Sequence, residues 1–165
     1  MKKQCMVLLV ENNAGVLARI SSLFMQRGFN IDSLTVSSTE NPEISRITIM
    51  ATGDQKTFTQ IMRQTGKLVE TKKIFSVEPS SALIRELLLV KISVSDDEVE
   101  SLRSIISEYG ASVLDMTNGC LVAELAAFSN DMDDFIEAIS SFKMLEMCRS
   151  GAIAMERGKG LYDVK

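Results

Sequence analysis

The sequence contains no histidine and only three cysteines, Cys5, Cys120 and Cys148. Without histidine, the chain lacks the usual general base, a common zinc ligand and the side chain that titrates near neutral pH. The cysteines stand far apart and form no CxxC pair, so the sequence offers neither a zinc motif nor a redox motif. Sparse cysteine use is typical of a reducing compartment, and we expect a cytoplasmic protein.

Positive charge is not in excess, since 18 Lys and Arg face 22 Asp and Glu and the formal net charge is -4. Nucleic-acid binding depends largely on clustered Lys and Arg, so this composition argues against a nucleic-acid partner. The apolar run from Cys5 to Val10 ends at Glu11 after six residues. It is too short for a signal peptide or a membrane span, and we expect no membrane partner.

The motifs of several enzyme classes are also missing. Neither GxGxxG nor GxxxxGK[ST] occurs, so no nucleotide fingerprint is present. No serine lies in GxSxG, and no histidine is available to activate a serine or a cysteine. The acidic run from Asp131 has Ile136 where a calcium loop requires glycine. The acidic runs are better explained as solvated starts of helices.

The first half of the chain predicts the order β-α-β-β-α-β. An apolar strand at 4–11 precedes a helix at 16–27, whose hydrophobic residues have helical spacing and which ends before Gly28. A hairpin follows, with its turn at Asn41-Pro42, and Asp54 caps a second helix. A strand at 68–77 closes the half.

After a connection at 80–86 the same order begins again. A strand at 87–94 leads to a helix that ends before Gly110, and Asn118-Gly119 predicts a tight hairpin. Ser129 or Asn130 is expected to cap the fourth helix, and the stretch 144–155 is predicted to be the closing strand.

A β-α-β-β-α-β unit closes as an antiparallel sheet with both helices on one face. The predicted fold class is therefore α+β, with two ferredoxin-like domains at 1–79 and 80–165. The 165 residues allow two such units, but about 80 residues bury little surface. Since one sheet face of each unit lacks cover, the two halves need each other or a partner chain.

The loop Asn12-Asn13-Ala14-Gly15 joins the first strand to the first helix. Its backbone N–H groups point toward the positive end of that helix and could hold a carboxylate or a phosphate. An Asn cap with a tight turn explains the same residues without a ligand. Asn30, beyond Gly28, is equally open to a ligand role or a structural one.

Four segments in order carry a family resemblance, namely LVENNAGVLARISSLFMQRGFNIDSLTV from Leu9, SRITIM from Ser45, LVKISV from Leu89 and MCRSGAIAMERG from Met147. They resemble the small subunits of acetolactate synthase, the first common enzyme of branched-chain amino-acid synthesis. The resemblance covers nearly the whole chain. It implies an ACT effector-binding domain at 1–79 and the family's C-terminal ferredoxin-like domain at 80–165.

In such a family the chain is a non-catalytic regulatory subunit of a transferase. The resemblance implies that it activates a large catalytic subunit and confers feedback inhibition by valine, or by leucine or isoleucine. It also implies a homodimer through ACT domains that binds the amino acid between two chains. The implied effector contacts are Asn12, Ala14, Gly15 and Val16 of one chain, with Asn30 and Ile31 of the other.

The resemblance further implies that this chain holds no cofactor, because thiamine diphosphate, magnesium and FAD belong to the large subunit. Three alternatives stay open. The first is a stand-alone ACT-type amino-acid sensor that regulates another enzyme or the expression of genes. The second is an enzyme that uses carboxylates such as Glu11 or Asp32 as acid and base, and the third is a structural dimer without a small-molecule site.

Overall fold

The computed structural model of the chain describes residues 2–78 and 81–158, which form two compact units. The first unit combines the residues up to Ile84 with those from Ala152 onward, and the second comprises Arg85–Gly151. The predicted boundary at 79/80 falls outside the described residues, and the chain passes from the first unit to the second after Ile84. The sequence does not predict the return of the chain to the first unit at Ala152.

The first unit has the predicted order β-α-β-β-α-β. Its elements are β1 (Lys2–Glu11), α1 (Val16–Gln26), β2 (Ile31–Ser38), β3 (Ile44–Gly53), α2 (Gln55–Thr65) and β4 (Thr71–Val77). The strands form an antiparallel sheet in the order β2-β3-β1-β4. The central strand β1 is the long apolar run seen in the sequence, which suits a strand with neighbours on both sides.

Both faces of β1 are buried. Met6, Leu8 and Val10 pack against α1 and α2, whereas Cys5 and Val7 alternate with them and face the other way. That opposite face is covered by side chains from two later segments of the same unit, which are Ala82, Ile84, Ala152 and Ala154. The face for which the sequence predicted a need of cover is therefore covered by the chain itself.

The ends of the two helices follow the predicted residues. Gly28, two residues after the end of α1, adopts a φ of 60°, and the N–H of Phe29 donates to the carbonyl of Phe24 at 3.1 Å. Asp54 caps α2, because its Oδ1 accepts from the N–H of Thr57 at 2.8 Å. Both predictions are confirmed.

The second unit repeats the order. Its elements are the part of β5 (Ala82–Ser93) that lies beyond Ile84, α3 (Val99–Glu108), β6 (Ser112–Thr117), β7 (Cys120–Ala127), α4 (Ser129–Ala138) and β8 (Lys143–Arg149). The strand order is β6-β7-β5-β8. Asn118 and Gly119, with φ of 54° and 72°, make the predicted tight turn between β6 and β7.

Two local predictions for the second half are wrong. The expected single closing strand is interrupted at Gly151, whose φ is 79°, and the chain then forms a separate strand β9 (Ile153–Glu156) that pairs with β5. The cap of α4 also differs, because Phe128 precedes the helix without a side-chain cap. The Ser129 hydroxyl instead donates to the carboxylate of Glu86.

Candidate functional site

The loop at 12–15 connects the end of β1 to the start of α1. Gly15 is the last residue before the helix and has a φ of 86°, a left-handed conformation that favours glycine. A Cβ at this position would meet no atom within 4 Å. Gly15 therefore serves the backbone conformation, and the space above it is open.

The asparagines of this loop do not cap α1. The side-chain nitrogen of Asn12 donates to the carbonyl of Pro42 at 3.1 Å, and its backbone N–H donates to the carbonyl of Glu43 at 2.8 Å. The side-chain nitrogen of Asn13 donates to the Glu11 carboxylate at 3.0 Å. The interpretation of the loop as an Asn cap is wrong, and the side chains instead tie the loop to its neighbours.

The N-terminus of α1 is partly satisfied by its own loop, because the N–H of Val16 donates to the carbonyl of Asn13 at 3.4 Å, but its positive partial charge has no side-chain partner. The helix has no side-chain cap and no acidic residue in its first turn. Val16, its first residue, is buried in the core, while Ala14 and Gly15 are exposed. Exposed backbone N–H groups at such an end are suited to an anion such as a carboxylate.

Asn30 and Ile31 lie at the other end of α1, where the chain enters β2. Asn30 is exposed and its side-chain nitrogen donates to Asp32 at 3.0 Å, and Ile31 is half-buried against the helix-side core. The helix between the two groups has 11 residues, which corresponds to about 16 Å at the α-helical rise. A single chain therefore does not bring all the predicted contact residues around one small amino acid.

The carboxylates considered for an enzyme are engaged in other contacts. Glu11 pairs with Lys72, and Asp32 accepts from the hydroxyl of Thr52 at 2.6 Å. Across residues 2–78 and 81–158, no group of three or more His, Cys, Asp or Glu side chains is placed to hold a metal ion. In the same ranges, no helix combines the length and the apolar character needed to cross a membrane.

Pro42 is a residue of this region whose contact the sequence did not reveal. The sequence assigns it only to the turn between β2 and β3, whereas its carbonyl anchors Asn12. The two residues are 30 positions apart in the chain. No local pattern links them, because their contact arises from the pairing of β1 with β3.

Two family models match the chain, one in each half. The model described as an AHAS small subunit-like ACT domain matches residues 6–73. The model described as the small subunit of acetolactate synthase matches residues 85–158. The first match includes the whole of the loop at 12–15, α1 and β2.

Whole-chain relatives agree with these matches. A probable acetolactate synthase small subunit from Archaeoglobus fulgidus is 35% identical over 94% of this chain and 98% of its own length. The small subunit of acetolactate synthase isozyme 3 from Escherichia coli is 34% identical over 94% and 96%. The crystal structure of an acetolactate synthase small subunit from Thermotoga maritima matches with a TM-score of 0.89 at 30% identity, over 97% of this chain and all of that one.

Proposed function

The chain belongs to the family of acetolactate synthase small subunits, and from this we propose that it activates the catalytic large subunit and makes it sensitive to a branched-chain amino acid. Valine is the proposed effector, with leucine and isoleucine as the other members of the class. The observation that carries the proposal is the end-to-end match to small subunits, whose lengths this chain covers almost completely.

The proposed effector site is shared by two copies of the first unit. The exposed N–H groups near Gly15 of one copy bind the carboxylate of the amino acid, and Asn30 and Ile31 of the second copy complete the site. The separation of about 16 Å along α1 supports two chains, since one chain cannot contribute both groups to one ligand. A two-fold axis would generate two equivalent sites.

The copies are proposed to pair side by side through the sheet edge formed by β2. This edge carries Ile31 and the partly exposed Val36, and among the described residues of the first unit no further strand pairs with it. An unpaired edge can accept a neighbouring strand of a second chain. The opposite sheet face is already covered by the chain itself, which leaves edge pairing as the favoured arrangement.

Regulation in this proposal is a shift between two states. Binding of the chain favours an active large subunit, and the amino acid binds more tightly to an arrangement with lower activity. The chain needs no catalytic group for this role.

The test is acetolactate formation from pyruvate by the cognate large subunit, with and without this chain, over titrations of the three branched-chain amino acids. Stimulation that an amino acid reverses is expected, and an unaffected large subunit would refute the proposal.

Replacement of Gly15 tests the site itself. Gly15→Asp places a carboxylate where the effector's own would bind, at a position where an added Cβ meets no atom within 4 Å. It should relieve inhibition while activation is retained. Gly15→Asn is the matched control, because Asn has nearly the same shape, carries no charge and tolerates a positive φ. It should relieve inhibition less, and undiminished inhibition of the Asp variant would contradict the proposed carboxylate site.

A further inference from the structure

The strand β9 lies on the face of the first unit's sheet that is opposite the helices. Ala154 of β9 and Ala152, the residue before the strand, are 3% and 0% exposed and belong to the cluster that buries Cys5. The alternate residues Ile153 and Met155 point away and are 56% and 60% exposed. Small side chains on the inner face allow β9 to approach the sheet closely.

Two side chains of the sheet form hydrogen bonds with the backbone of Ala154 in β9 and of Ala152 before it. The N–H of Ala152 donates to the hydroxyl oxygen of Ser33 on β2, at 3.2 Å. The guanidinium of Arg46 on β3 donates to the carbonyl of Ala154, at 2.6 Å. Bonds of this kind do not depend on the side chains of β9. They specify where its backbone lies.

Ser33 is two residues from Ile31 and three from Asn30, the residues proposed for the effector site. The pairing of β2 with β3 shifts its register between Ile31 and Ser33. Such irregularities re-aim side chains and are common beside functional sites. On the other side of the contact, Ala152 directly follows Gly151, the last residue of the second unit. The Ser33–Ala152 bond therefore connects the start of β2 to the point where the chain returns.

We propose that Ser33 and Arg46 are positioning residues that couple the effector site to β9 and, through the chain at Gly151, to the second unit. This inference rests on the proposed function. An effector that is held by Asn30 and Ile31 and moves the start of β2 changes the position of Ser33. The bond to Ala152 carries that change to the returning chain. Coupling of this kind requires that the contact has two arrangements and that the ligand favours one of them over the other.

The first test measures opening of β9 and needs no effector. The full chain carries Cys120→Ser and Cys148→Ser, so that Cys5 is its one remaining thiol, and Cys5 is 1% exposed. Burial raises the pKa of this thiol to about 11, although the positive charge of Arg46 acts to lower it. Ser33→Ala should increase the rate of Cys5 alkylation roughly fivefold, the change expected from loss of a hydrogen bond.

Ser37→Ala is the matched control, because Ser37 is an exposed serine on the same face of β2. It should leave the rate unchanged. A rate that does not vary with low concentrations of urea identifies local opening rather than global unfolding. An unchanged rate for Ser33→Ala, or an equal increase for both variants, would overturn the proposed contact.

The second test uses the complex with the large subunit. In the full chain without the large subunit, Ser33→Ala and Arg46→Met should bind valine with unchanged Kd, whereas in the complex the activity that remains at saturating valine should rise toward the uninhibited value. Ser37→Ala should remain as sensitive as the wild type. Weakened valine binding, or loss of activation without valine, would show a different role for the two residues and refute the inference.

The outcomes separate the two proposals. A wild-type complex that responds to none of the three amino acids refutes the proposed function and, with it, this inference. A wild-type complex that is inhibited, with variants inhibited to the same extent, refutes the inference alone. Retained binding together with lost inhibition supports both.

Discussion

Breaking one buried ion pair should strongly destabilise the second unit. Glu86 on β5 is only 7% exposed. The Arg149 guanidinium donates to it through Nη2 at 2.7 Å and Nε at 3.1 Å, and also to Asp133 at 2.7 Å. Burial alone lowers the pKa of Arg149, but the bonds and charges of Glu86 and Asp133 outweigh it and raise the pKa overall. The three side chains therefore join β5, β8 and α4.

Arg149→Met removes the guanidinium that pairs with Glu86 and retains an apolar side chain at position 149. Glu86 would keep the bond from the Ser129 hydroxyl but would remain a buried carboxylate without a cation. Breaking such a pair costs about 3–5 kcal/mol. We expect the lower end of that range, because the Arg149 side chain is 30% exposed and water can reach part of the gap. The free energy of unfolding of a typical domain is about 5–15 kcal/mol, so this loss is a large fraction of it.

Lys91→Met supplies the matched control within the same sheet. Lys91 pairs with Glu146 at 3.1 Å, but the two side chains are 45% and 62% exposed. Solvent screens such a pair, which contributes about 0–1 kcal/mol. The assay is urea unfolding of the full chain near neutral pH. Adding Glu86→Gln to Arg149→Met should restore part of the loss, since it removes the buried charge. Equal losses for Arg149→Met and Lys91→Met would refute the reasoning.

Two further substitutions test the first unit. A Cβ at Gly53 would lie 2.2 Å from Cε2 of the core residue Phe29, so Gly53→Ala should cost about 1–3 kcal/mol through overpacking. An unchanged thermal midpoint would contradict this. Asp54→Ala removes the cap of α2, whose bonds from Thr57 lower the pKa of Asp54. A carboxyl whose pKa is lowered in the folded state stabilises the protein at pH values above its unfolded pKa of about 3.9, and this stabilisation is lost in acid. The thermal midpoints of the wild type and of Asp54→Ala should therefore differ near neutral pH and converge in acid. A difference in midpoint that does not change with pH would argue against a charged cap.

The repeat of β-α-β-β-α-β could be predicted from the sequence because its signals are local. Helical spacing of Val16, Ile20 and Phe24 identifies α1, and the same residues are buried in the structure. The turn at Asn118-Gly119 needs positive φ, which these residue types adopt readily. Each signal depends on neighbours within a few positions. The placement of both helices on one face of the sheet then follows from the handedness of the connections.

The contact residues of the candidate site were named from resemblance, and their use by an effector remains a proposal. What the structure adds is their placement. Gly15 takes its left-handed conformation at one end of α1, while Asn30 lies at the other end. The sequence also left open whether the asparagines cap the helix. Their bonds to Pro42 and Glu11 decide against it.

By itself, then, the sequence determined the order β-α-β-β-α-β of each half and the apolar face of each helix, because these depend on periodicity and on the φ preferences of single residues. Only the tertiary structure decided that the chain returns to the first unit at Ala152 and that β9 covers Cys5 there. Ser33 and Ala152 are 119 positions apart. No local pattern encodes such a contact, which arises because an uncovered sheet face gains stability from any apolar segment that the fold brings onto it.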